Sequence, residues 1–357
     1  MKSTTVESRQ TAQAPASGHA DSFVSRPLRV VAIGGGTGLS TLLRGLRHHV
    51  PAPGQNPDPT CAIGELAAVV TVTDDGGSSG RLRQDFNMLP PGDLRNCMVA
   101  LSEEEDLLSK LFTHRFKTGK SLKGHNFGNL FVAALTEITG DFAQAVQLAS
   151  KILATRGQIY PATTANAMLV AKMDDGSVVR GETKITASKQ RIVELMLEPP
   201  NPAPLPETLR AIECADLITV GPGSLYTSLI TNLLVSGIPS ALGTARGLRV
   251  YICNLMTQAN ESLGLTAAEH IERIYDHTRT PIFDYAVVNT GEFSIETVNR
   301  YASEGAAPIV PDIERIEKLG VRCIVGNFAS EESVVRHRAN RVADTVLELA
   351  QRTAEIS

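Results

Sequence analysis

Cysteine is sparse in this 357-residue chain, charge is nearly balanced, and long apolar runs are missing. The five cysteines, Cys61, Cys97, Cys214, Cys253 and Cys323, form no C-x-x-C pair and have no histidine at zinc spacing. They read as reduced, packed thiols of a cytosolic protein rather than as a metal knuckle. A net charge of −4 supplies no global basic field, so nucleic acid is not the expected partner and a small phosphorylated ligand fits better. No stretch reaches the ~18 apolar residues of a membrane helix, and the N-terminus lacks the apolar core of a secretory signal. The expected location is the cytoplasm. Also missing are G-x-G-x-x-G, the G-x-x-x-x-G-K-[ST] loop, an H-E-x-x-H pair and any internal repeat, which removes the simplest signatures of dinucleotide enzymes, P-loop ATPases and zinc proteases.

With 42% hydrophobic residues the chain can build a sizeable core. Residues 1–27 are rich in Ser, Thr, Ala and Gln and read as a disordered tail, since little apolar surface offsets their ordering entropy. A folded unit is expected over 28–328, followed by a C-terminal helical segment over 329–357. LRVVAIGGG reads as a buried strand ending in a tight turn, and TGLSTLLRGLRHH as the helix after it. After a proline-rich surface connection at 50–65, LAAVVTVTDD gives a second buried strand and completes a β-α-β unit, whose strand ends share one edge of the sheet. Residues 93–154 read as a helical insertion. AMLVAKM and VVRGETK read as a hairpin joined at Asp175 and Gly176. DLITVGPGS, RVYICNLM, YAVVN and RCIVG then alternate with helical stretches, including LYTSLITNLLVSG and RVADTVLELA. The fold class is α/β, a Rossmann-like doubly wound parallel sheet with a helical insertion and a β-hairpin section.

Chemistry concentrates where glycines follow strands. Gly34, Gly35, Gly36, Thr37 and Gly38 lie between a strand and a helix, where bare backbone and free N–H groups can approach a phosphate. Ser40 and Thr41 add hydroxyls. After the second strand, TDDGGSSGRLR offers a carboxylate, Asp74 or Asp75, for a ribose hydroxyl or Mg²⁺, and Ser78, Ser79 and Arg81 or Arg83 for a phosphate. Adjacent aspartates point apart, so at most one of them faces a ligand. Asp93, at a helix start in PPGDLRNC, reads as an N-cap. In GHNFGNL, His125 and Asn126 can contact a phosphate or base or exchange a proton; equally, Asn126 can simply cap a helix with His125 in solvent. TVGPGSLYTS repeats the logic of the first loop, with Gly221, Gly223 and Ser224 as donors to an anion.

The order of VVAIGGGTGLSTLLRGL, AVVTVTDDGGSSGRLR, PPGDLRNC, GHNFGNL, LTEITGDF, ADLITVGPGSLYTS and NLMTQ resembles that of the YvcK-type gluconeogenesis factors, which are related to CofD, the 2-phospho-L-lactate transferase of coenzyme F420 synthesis. The resemblance spans roughly residues 28–328. It implies a cytoplasmic Rossmann-like protein that binds a UDP-sugar such as UDP-N-acetylglucosamine and is needed for cell shape and for growth on gluconeogenic carbon sources, with no firmly attached reaction. By position it places Gly34 to Thr37, Asp74 and the GPGS loop in the nucleotide site, and matches Arg300 to an arginine that holds the nucleotide sugar.

Two departures stand out. Where the family carries a tyrosine implicated in ligand binding, this chain has Leu265, so ring stacking and a phenol hydrogen bond are lost there unless another aromatic such as Tyr226 substitutes. The connection at 50–65 is also longer than is usual. Two functions follow as expectations. One is a sensor of UDP-N-acetylglucosamine or UDP-glucose that acts through cell-wall regulatory proteins without turnover. The other is a CofD-like, Mg²⁺-dependent transferase acting on a nucleotide diphosphate. The sequence leaves a homo-oligomer open.

Overall fold

A computed structural model describes residues 26–52, 54, 61–102, 107–259 and 261–356. Most of the expected N-terminal tail and much of the proline-rich connection lie outside the described residues. The strands of the main sheet are β1 (Leu28–Gly34), β2 (Ile63–Val70) and β3 (Gln158–Pro161) from the first half of the chain. A small sheet follows, made of β4 (Met168–Met173), β5 (Val178–Arg180) and β6 (Ile192–Glu198). The main sheet resumes with β7 (Leu217–Val220), β8 (Leu248–Ile252), β9 (Tyr285–Asn289) and β10 (Arg322–Gly326). Its seven strands run in the order β10-β9-β8-β7-β1-β2-β3, all parallel.

Alternation along β1 explains the layering. Leu28, Val30 and Ala32 enter one apolar cluster, while Val31 and Ile33 enter the other. Both faces are therefore covered, as the period-2 geometry of a strand buried on two sides requires. On the first face lies α1 (Gly36–Leu46), whose Leu39, Leu42, Leu43 and Leu46 are all buried at the spacing of one helical stripe. Against it pack α3 (Gly92–Leu101) and the last helix, Ala339–Ile356, which buries Val342, Ala343, Val346 and Leu347. The C-terminal helix thus shares the main core.

The helical insertion expected over 93–154 is present as α3, α4 (Leu107–Thr113), α5 (Phe127–Thr139) and α6 (Phe142–Ile152), and a further helix, α2 (Gly77–Phe86), precedes it; all five lie between β2 and β3. The hairpin of β4 and β5 turns at Gly176, with φ of +84°. The strand expected over VVRGETK ends at Arg180. Gly181 sits at φ +93° and opens α7 (Glu182–Ala187) instead, a conformation that glycine alone adopts freely. β6 adds a third antiparallel strand to the hairpin.

The helix expected from Leu225 starts as a π-helix over Leu225–Ile230, with Leu229 N–H donating to Ser224 O. Among the described residues no single helix is long and apolar enough to cross a membrane. A bent pair, Leu225–Leu233 with Ile238–Thr244, passes by length and composition, but its leucines and isoleucines are largely in the second core.

Two sheet neighbours, β1 and β7, send the chain in opposite directions, β1 toward β2 and β7 toward β8. This is the topological switch point, and in such sheets the crevice at the carboxyl ends of these strands is where ligands bind. The GGGTG and GPGS loops are the two walls of that crevice.

Candidate functional site

A cleft of about 270 Å³ opens at this switch point. Residues 35–38 and 222–224 line one end, 254–258 after β8 line the floor, and Tyr301 with residues 334–337 lines the far side. No carboxylate lines it, and Arg336 is its one permanently charged residue among the described ones.

The first loop is built to present amides. Gly35 is the N-cap of α1 and offers no side-chain cap, so the first-turn N–H groups need other partners. Gly36 N–H donates to Asp93 Oδ2 at 2.8 Å. Those of Thr37 and Gly38 remain at the uncapped start of α1, on the cleft wall. Gly34 lies just behind, its carbonyl accepting from Asn232 Nδ2 at 2.8 Å. A Cβ on Gly35 would lie 2.8 Å from Thr71 Cγ2 and 2.9 Å from Asp93 Oδ2, so this glycine is required by packing. Ser40 and Thr41 turn their hydroxyls to Thr37 O rather than outward.

The second loop works differently from its sequence pattern. Gly221 N–H donates to Ile33 O, and Gly223 N–H to Asn254 Oδ1 at 3.2 Å while Asn254 Nδ2 returns a bond to Gly223 O at 2.7 Å. At the start of the π-helix the Thr227 hydroxyl donates to Glu261 Oε1 at 3.1 Å. The expected donor role of Gly221 and Gly223 is therefore corrected: their amides are spent on structure. Ser224 Oγ accepts from Gln258 Nε2 at 2.9 Å, which leaves its own O–H for the cleft.

Asp93 is not a cap. Pro91 occupies the N-cap position of α3, and Asp93 instead reaches across to Gly36. Desolvation raises its pKa to about 6, against the Gly36 bond, which lowers it. Near it lie Asp74 and Glu182; burial, with the charges of Asp74 and Asp93, pushes Glu182 up to about 9. Asp93→Ala should destabilise the fold by about 1–3 kcal/mol by orphaning the Gly36 amide, whereas Asp93→Asn keeps an acceptor; comparing their thermal unfolding midpoints checks this.

The remaining candidates form a second group behind the first loop, outside the cleft lining. Asp74 Oδ1 accepts from Gly76 N–H at 2.9 Å. Asp75 is turned away, its Oδ1 taking the Thr183 amide at 2.8 Å and the Thr183 hydroxyl at 2.6 Å. The paired aspartates do diverge, and Asp75 fastens α7. Ser78 Oγ lies 3.1 Å from His125 Nδ1 and accepts from the Asn126 amide, while Ser79 Oγ accepts from Asn129 Nδ2 at 3.4 Å. Asn126 caps α5 through Asn129 N–H, and His125 is buried rather than solvated. Burial, with Arg81 and Arg115 nearby, lowers the His125 pKa. Arg81 is exposed and donates to Lys123 O, and Arg83 is held by Thr73 O and Ala167 O. Among the described residues no three acidic, histidine or cysteine side chains form a metal cage.

Arg300 is outside the cleft lining, beside Tyr301, which is part of it. Its guanidinium is over the Tyr301 ring and donates to Glu332 O at 3.2 Å. Tyr226 cannot replace the missing family tyrosine, because it is buried in the second core beside His277, away from the cleft. The aromatic that does line the cleft is Tyr301, with its hydroxyl accepting from Val335 N–H at 2.8 Å. Leu265 is half-buried against the second core and outside the cleft lining.

A family model described as 2-phospho-L-lactate transferase CofD matches residues 30–329. The chain belongs to the CofD family. Within it, this CofD-family protein is similar to the gluconeogenesis factor of Halalkalibacterium halodurans, at 45% identity over 326 residues, 91% of this chain and 97% of that one. It is similar also to the gluconeogenesis factor of Bacillus subtilis, at 44% identity over 322 residues, 90% of this chain and 98% of the other. A crystal structure of a Bacillus halodurans protein matches it with a TM-score of 0.85 at 44% identity, covering 90% of this chain and 100% of that one.

Sequence reasoning missed the far side of this CofD-family cleft. Asn254 to Gln258 belong to the NLMTQ motif, which signalled family but no role. Tyr301, Arg336 and His337 carry no local signal and reach the cleft only through the fold.

Proposed function

We propose that this protein binds a uridine-diphosphate sugar, UDP-N-acetylglucosamine or UDP-glucose, in the cleft between the β1 and β7 loops. The observation that carries the reading is the uncapped start of α1, where the Thr37 and Gly38 amides lie on a cleft that no carboxylate lines among the described residues. Such a helix end attracts a diphosphate through its free donors and its dipole. The ligand class and the cellular role, adjusting cell-wall precursor supply through partner proteins during gluconeogenic growth, come from the resemblance to the gluconeogenesis factors. Arg300, beside Tyr301 and outside the lining, would then have to reach in to the nucleotide sugar as a bidentate donor.

Thermal unfolding with UDP-N-acetylglucosamine, UDP-glucose, GDP, NAD and ATP, each with and without Mg²⁺, tests the reading. A ligand at a hundred times its Kd stabilises the fold by about 2.7 kcal/mol. The expected outcome is a rise in Tm with the uridine nucleotides and no turnover; no shift with any of them would overturn it.

The acidic group behind Gly36 supports a second reading, a CofD-like transferase. Mg²⁺ takes only one or two carboxylates with water and substrate phosphates completing its shell. Asp74 fits that role, since its Oδ2 accepts no hydrogen bond among the described residues, and Asp75 does not. The metal would neutralise phosphate charge during transfer. Product formed only in the presence of Mg²⁺ would favour this reading over the sensor.

A further inference from the structure

His337, in β12 (Arg336–His337), which pairs with β11 (Ala329–Ser330), lines the cleft opposite the phosphate loop. Its Nε2 lies 3.1 Å from Cys253 O. A carbonyl can only accept, so Nε2 carries the ring proton. Desolvation holds the ring neutral, its pKa pushed down to about 4. Nδ1 is therefore left as an acceptor, and nothing among the described residues donates to it.

The surroundings of the ring decide what it would meet. Leu255, Met256 and Val335 form a small apolar cluster with Tyr301 packed against it, and all four line this side of the cleft. Apolar walls and one aromatic ring suit the faces of a planar base; a glycosyl unit would leave its hydroxyls unpartnered there. The donor-rich start of α1 lies across the cleft, where the diphosphate belongs.

We propose that His337 Nδ1 is the specificity-determining acceptor of the base subsite, taking the N3–H of uracil while the ring packs between Tyr301 and the Leu255–Met256 floor. The inference rests on the uridine-nucleotide reading and deepens it. Cytosine carries an acceptor at N3 and 3-methyluracil a methyl group, so either would set an unpaired lone pair or a clash against Nδ1. A polar site rejects an analogue that lacks the matching group far more strongly than an apolar pocket does.

Titration calorimetry of the full chain with UDP, CDP and 3-methyluridine diphosphate tests it. UDP should bind at least tenfold more tightly than either analogue. His337→Phe should erase the preference for UDP over CDP. His337→Asn, which can give an N–H to Cys253 O and keep an acceptor, should retain part of it. Equal affinities of the native protein for UDP and CDP would overturn the role of His337 and leave the uridine site standing, as would an undiminished preference in His337→Phe. Failure of UDP to bind at all would overturn the functional reading itself. The methylated analogue is used on the unaltered protein, so the test survives a variant that does not fold.

Discussion

Gly38→Ala is expected to abolish nucleotide binding and to destabilise the fold together. A Cβ at this position would fall on the backbone oxygen of Pro222 and 2.9 Å from Gly223 Cα. Neither atom belongs to a flexible side chain, so the β1 and β7 loops would have to part. Overpacking of this kind typically costs about 1–3 kcal/mol. Parting the loops would also displace the Thr37 and Gly38 amides, and a shift of about 1 Å in a positioned donor set can cost a hundredfold. The expected result is therefore an affinity for UDP-N-acetylglucosamine at least a hundredfold weaker by calorimetry, with a lower Tm. Unchanged affinity in a folded variant would place the ligand elsewhere.

The second large effect is on stability against pH. Glu182 is raised from its ordinary 4.5 to about 9 and Asp93 from 3.8 to about 6. A carboxyl raised on folding keeps its proton in the native state after the unfolded chain has lost its own. Its contribution to stability is thus fully present below the unfolded pKa and falls as pH rises to the folded one. For Glu182 the loss runs from about pH 4.5 to 9 at roughly 1.4 kcal/mol per pH unit; Asp93 steepens it below pH 6. Glu182→Gln mimics the protonated carboxyl and removes that slope. The variant should match the native protein near pH 4.5 and exceed its stability by about 3 kcal/mol at pH 7, measured by denaturant unfolding across this range. A constant difference across pH would show that Glu182 is ionised in the native protein.

Both effects arise from crowding at one sheet edge, and each was only half legible beforehand. GGGTG announced a phosphate loop from its place between strand and helix. That Gly38 must be glycine because Pro222 crosses it follows from a contact between segments more than 180 residues apart. Asp93 looked like a cap because an aspartate before a helical stretch usually is one. Pro91 takes that position, and the carboxylate is free to hold Gly36.

GPGS shows where pattern and chemistry part. Its glycines are needed, since Gly221 lies at φ +91° and a Cβ there would meet Ile252 O at 2.7 Å. Their amides, however, are committed to Ile33 and Asn254. No local rule tells a committed loop amide from a free one, because its partner comes from a different part of the chain. Tyr226 failed as a substitute aromatic for a similar reason: a residue beside a glycine loop in sequence can still point into the core.

By itself the sequence determined the parallel α/β sheet, the helical insertion, the hairpin and the glycine loop after β1. These are properties of periodicity and of local backbone freedom, which act over a few residues. Tertiary structure alone decided which amides stay free, which aspartate turns inward, and that Tyr301 and His337 complete the cleft. Those depend on what distant segments bring to the same edge, and hydrogen-bond partnership and desolvation are set only by that meeting.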